Sequence, residues 1–116
     1  MKTLTYNEKI AVMRILTDIM LADGRIDERE VAFLSDTASL LELQQGYEKD
    51  VEKTLSFLAL SELCNISAQQ KLQLTLLMGK MIVADLDINY KEVKIYDIVC
   101  DFLGIAKQFE QEDLYS

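Results

Sequence analysis

Apolar residues recur along this chain at the three-and-four spacing of one helix face, and capping residues stand at the breaks between runs. Thr5 and Glu8 form a T-x-x-E capping box. This predicts a first helix from near Tyr6, carrying Ile10, Met13, Leu16 and Met20 on one stripe. It should stop at Ala22 or Asp23, with Gly24 in the left-handed position past its end. Asp27 and Glu30 form a second box, ahead of a helix through Val31, Leu34, Ala38 and Leu41. The pattern breaks at Gln44-Gln45-Gly46. A third helix is predicted to start at Tyr47 and run to about Leu63, with Val51, Leu55, Leu58 and Ala59 on one side. Glu48, Asp50 and Glu52 lie in its first turns, where the helix dipole favours negative charge. Ser67 and Gln70 cap a fourth helix, which starts at Ala68 and ends near Ala84. It is apolar nearly all round, which predicts a place in the middle of a bundle. Its Gly79 costs about 1 kcal/mol of helix propensity, a cost that close approach at a helix crossing offsets. Asn89 and Glu92 cap a fifth helix through Val93, Tyr96, Val99 and Leu103 to Gly104, and a short sixth is expected to start at Lys107 and end at Asp113.

Two of these units are alike. ADGRIDEREVAFLSDTASLLEL, beginning at Ala22, aligns without a gap on ADLDINYKEVKIYDIVCDFLGI, beginning at Ala84. Asp23 falls on Asp85, Ile26 on Ile88, Glu30 on Glu92, Val31 on Val93 and Leu41 on Leu103. Small Thr17 falls opposite Gly79, as two crossing central helices would require. The expected fold is therefore all-α: a compact bundle of about five to seven helices from a duplicated helix–loop–helix unit. A single domain is expected over 1–116, with repeat halves at about 6–43 and 67–105. The absence of proline and the presence of only four glycines in 116 residues agree, because β-hairpins consume both.

Charge narrows the partners. Twenty acidic against 12 basic side chains give a net charge of −8. Such a chain does not neutralise phosphates, so nucleic acid and anionic lipid are not expected. Cations or basic protein surfaces fit better. There is no histidine, and Cys64 and Cys100 stand apart in apolar helical surroundings, so both are expected to be reduced core residues. The N-terminus shows no apolar signal core and no stretch is long enough to span a bilayer, so a cytoplasmic location is expected.

The acidic residues cluster in the two equivalent loops: Asp23, Asp27, Glu28 and Glu30, then Asp85, Asp87, Asn89 and Glu92. Asp27 and Asn89 suit N-caps, with Glu30 and Glu92 as their N3 partners. Asp23 and Asp85 sit at helix C-termini, where the dipole disfavours an anion by about 0.3–1 kcal/mol. The next helix's N-terminus or a bound cation could compensate. Carboxylates and an amide oxygen suit calcium or magnesium. The metal candidates are Asp23, Asp27, Glu30, Asp85, Asp87 and Glu92. Neither loop is an EF-hand: in the second, Tyr90 and Tyr96 occupy the positions of its obligatory glycine and bidentate glutamate, and in the first Asp23-x-Arg25-x-Asp27 fails sooner.

The motif Ala22-Asp23-Gly24-Arg25-Ile26-Asp27-Glu28-Arg29-Glu30, with a weaker copy from Ala84 to Glu92, resembles the TerB-like family linked to tellurite resistance. The resemblance covers about residues 7–104. It implies a helical bundle in the bacterial cytoplasm, a link to tellurite and stress resistance, and kinship with domains of DnaJ-like co-chaperones. It also implies a metal-responsive acidic patch, carried here by Asp23, Asp27, Glu30, Asp85 and Glu92. Leu86 replaces an expected glycine and Asn89 an expected acid.

Two functions follow as expectations. One is a non-catalytic, metal-responsive interaction module in a stress response. The other is a co-chaperone-type adaptor without metal. Both anticipate a protein partner. With no histidine, phosphate loop or activated nucleophile in the sequence, an enzyme is not expected.

Overall fold

In a computed structural model, residues 4–84 and 88–105 are described. They form six α-helices: α1 (Tyr6–Leu21), α2 (Glu28–Leu40), α3 (Tyr47–Lys53), α4 (Ser56–Leu63), α5 (Ala68–Val83) and α6 (Tyr90–Leu103). The all-helical bundle read from periodicity is borne out. The expected segment from Lys107 to Asp113 lies outside the described residues.

Helix starts follow the sequence signals. Thr5 accepts from the Glu8 N–H at 3.2 Å while Glu8 accepts from the Thr5 N–H at 2.9 Å. Ser67 and Gln70 make the same reciprocal pair. Past the end of α1, Gly24 takes φ +78, and Gly104 closes α6 at φ +68. Both are left-handed conformations in which a Cβ is strained.

The core is arranged around α1. Ile10, Ala11, Val12, Met13, Ile15, Leu16, Ile19 and Met20 are all buried. These residues cover most of the helix circumference, so one apolar partner cannot shield them. Accordingly α1 packs against each of the other five helices, most extensively against α4. This corrects the expectation that the fourth periodic segment occupies the middle. That segment, α5, buries Leu74, Met78, Met81 and Ile82 against the core but leaves Leu72, Leu76 and Val83 exposed. Gly79 is buried in α5, which does pack on α1.

A second correction concerns the expected long third helix, which is two helices. Thr54 and Leu55 take extended ψ values of 124 and 142, and the chain turns between α3 and α4. The Thr54 hydroxyl donates to the Asp50 carbonyl at 2.7 Å and Ser56 donates to the Asp18 carboxylate at 2.6 Å. The first is a local bond that competes with a continuous helix, and the second ties the start of α4 to α1. The turn lays Ala59 and Leu63 of α4 against α1 and leaves Leu55, expected on the apolar side, 66% exposed. A third correction is Cys64, which is exposed at the end of α4, whereas Cys100 is buried as expected.

The repeat is visible in the backbone. Asp27 caps α2 at φ −100, ψ 137 and Asn89 caps α6 at φ −101, ψ 129. Each side chain accepts from the N–H two residues on, at 2.8 Å. Burial of the two copies differs. α6 packs on α1, α4 and α5, whereas α2 packs chiefly on α1. Val31 is thus 44% exposed and its counterpart Val93 fully buried.

The central role of α1 is testable by urea denaturation. Ile19→Ala, in the fully buried stripe, should cost about 2–5 kcal/mol. Leu55→Ala, at the exposed turn, should stay within about 0.5 kcal/mol. Equal losses at the two positions would contradict this packing.

Candidate functional site: the first acidic loop and the groove beside it

The α1–α2 loop builds its own charge compensation. Asp23 accepts from the Arg25 N–H at 3.0 Å and lies 3.7 Å from the Arg25 guanidinium, with its side chain only 9% exposed. The positive charge that a C-terminal aspartate calls for is therefore supplied from two residues away. Asp27 accepts from the Arg29 backbone N–H at 2.8 Å and from its guanidinium Nε at 3.2 Å. The Arg29 side chain, followed by its backbone N–H, holds the Asp27 carboxyl below its ordinary 3.8.

Glu30 and Glu92, expected as the N3 partners of the two caps, lie inside the bundle. They are 2% and 0% exposed. Buried carboxylates are among the rarest core groups in proteins, so this symmetric pair is a distinctive feature of the fold. Asp85 and Asp87 lie outside the described residues. Among the described residues, no three histidine, cysteine, aspartate or glutamate side chains converge to hold a metal ion.

Beside this loop lies a feature that the periodicity did not reveal. α1, α2 and α3 enclose an open groove of about 270 Å³. Met13, Leu21, Leu34, Tyr47 and Val51 make its walls apolar, and Glu48 and Glu52 stand along α3. Burial, and then the charge of Glu48, raise the Tyr47 hydroxyl above its ordinary 10.0. α3 is tied to α1 at two adjacent residues in its middle. The Tyr6 hydroxyl donates to the Asp50 carboxylate, and Arg14 makes a long hydrogen bond of 3.5 Å to the Val51 carbonyl. Arg14 is held in turn by Asp18, 3.2 Å away. Asp18 also takes the Ser56 hydroxyl, so one carboxylate links α1 to the start of α4. A wider groove of about 430 Å³, between α1, α4 and α6, is lined by Ile15, Leu60, Ile95 and Ile98. The sequence carried one overlooked signal for the first groove. Tyr47 and Val51 share one face of α3 and Glu48 and Glu52 the adjoining one, each pair four residues apart.

The family model of Tellurite resistance protein TerB matches residues 1–53. The TerB resemblance read from the motif is borne out. The TerB match contains the whole α1–α2 loop and every residue lining the first groove. No curated protein matches the chain. A crystal structure of a protein of unknown function, PG1108 from Porphyromonas gingivalis W83, aligns with a TM-score of 0.76 at 16% identity. The alignment covers 97% of this chain and 95% of that one. At that identity the likeness establishes the fold.

The loop geometry predicts a pH signature. The folded-state pKa of Asp27 is depressed, so its contribution to stability is complete above the ordinary value of 3.8 and is lost as pH falls through the lower folded value. Asp27→Ala should lower the melting temperature at pH 7, and its gap from wild type should narrow below about pH 4. A gap that does not change with pH would contradict the ion-paired cap.

Proposed function

We propose that this protein is a non-catalytic, TerB-like interaction module acting in the cytoplasm, in the tellurite or stress-response setting that the resemblance implies. It works by seating part of a protein partner in the α1–α2–α3 groove. One observation carries the reading: the groove presents uncovered apolar surface, including the exposed Leu21, within the TerB-matched residues. Its volume of about 270 Å³ is at the small end for a drug-sized ligand and suits one or two anchoring side chains of a protein. No described helix is long and apolar enough to cross a membrane, which agrees with a partner met in solution.

The reading is tested in living cells with a photo-crosslinking residue at Leu34, inside the groove, and at Gln69, on exposed α5 surface. A discrete adduct from position 34 alone is expected. No adduct, or equal labelling from both positions, would remove the interaction role from the groove.

A second reading, a response to calcium or magnesium, is what the TerB resemblance implies for Asp23, Asp27, Glu30, Asp85 and Glu92. On this reading, about 1 mM calcium or magnesium raises the melting temperature, and Glu92→Gln blunts the rise. An unchanged melting curve takes the cation out of the function. The groove reading does not need it.

A further inference from the structure

We propose that the α1–α2–α3 groove receives a basic amphipathic helix of a partner protein. One bulky apolar side chain of that helix rests against Leu21, Leu34 and Tyr47, and its lysines or arginines lie along Glu48 and Glu52. The inference rests on the interaction reading above and adds the chemistry of the partner.

Charge complementarity selects the occupant. Glu48 and Glu52 are exposed and follow one another along the outer side of α3, directly beside the apolar wall made by Tyr47 and Val51. Arg14 is the one cation that lines the groove among the described residues. Its guanidinium is engaged by Asp18 at 3.2 Å and directed to the Val51 carbonyl. An anionic segment would therefore meet two carboxylates with no cation to answer it. A cationic one meets two carboxylates that have open water on their far side. The net charge of −8 acts in the same direction at longer range and speeds the encounter of a basic partner.

Shape selects a helix. An extended peptide gains its main-chain hydrogen bonds by joining a sheet edge, and the described residues contain no strand. A cleft between helices with an apolar floor and a charged side instead matches the helix-in-groove mode, with anchors at i, i+3 or i+4, and i+7. The opening exists because α2 packs chiefly on α1 and does not close over α3.

The test uses the full chain and a fluorescent helical peptide of about 14 residues, with leucines at i, i+4 and i+7 and lysines elsewhere, read by anisotropy. The expected result is saturable binding that weakens as salt rises from about 0.05 to 0.5 M. A Glu48→Lys/Glu52→Lys variant should bind about tenfold or more weakly while still melting cooperatively, with only the small loss of stability set by Glu48 in the first turn of α3. The same peptide with glutamate in place of lysine should not bind. Equal binding of both peptides, or an unaffected charge-reversal variant, would overturn the proposal. So would a concentration-dependent dimer dissociated by Leu34→Asp, which would assign the groove to a second copy. Absence of peptide binding alongside a position-34 adduct in cells would sink the partner chemistry and leave the interaction role standing. Absence of both would sink the two together.

Discussion

A helix with apolar side chains on nearly every face cannot be sheltered by one neighbour, and α1 is such a helix. Burial of each large side chain along it is worth about 1.5–3 kcal/mol, so the chain is strongly driven to surround it. The remaining topology follows. α4 must lie along α1, and the polypeptide can reach that position only if the helix that begins at Tyr47 stops at Thr54 and starts again at Ser56. The Asp18 carboxylate, which takes both Arg14 and Ser56, sits where this redirection happens. α3 is then left at an angle to its successor, and the space between it, α1 and α2 is the groove.

Local signals were legible where they are local in origin. The capping boxes at Thr5 and Ser67, the glycine stops at Gly24 and Gly104, and the paired N-caps Asp27 and Asn89 depend on residues within a few positions, and each is found where the motif sets it. The repeat was legible for the same reason. What was not legible depends on who packs against whom. Leu72 to Val83 reads as the most apolar helix, yet centrality was decided by the number of faces that neighbours cover, and α1 has cover on most of them. Leu55 and Leu58 share a helical stripe with Val51, yet the turn at Thr54 rotates them into solvent. Cys64 was read from apolar neighbours in sequence and stands outside because it follows the last turn of α4. The groove escaped because its walls come from three helices.

The acidic loop shows how a charge question is answered by the shortest available route. Asp23 sits at the unfavourable end of α1, and the compensating cation is a side chain two residues away. Asp27 is served in the same way by Arg29. These pairs are exposed on the arginine side, so each contributes modestly and is screened by salt. Their larger effect is geometric, because backbone N–H groups of Arg25 and Arg29 are bound by the same carboxylates and fix the path of the loop. Glu30 and Glu92 are the contrasting case, held inside the bundle. The two kinds of acid, adjacent in sequence, therefore answer to different physics: surface ion pairing for one, desolvation for the other.

The unequal burial of the two repeats has a further consequence. Val93 is fully buried on a helix that packs on three others, so substitutions on that side of α6 are constrained by packing. Val31 has solvent over much of its surface, so α2 can change its outward residues at little cost to folding. Two hairpins alike in sequence thus end, on assembly, in unequal places: one is walled in by its neighbours and the other keeps a face open to solvent.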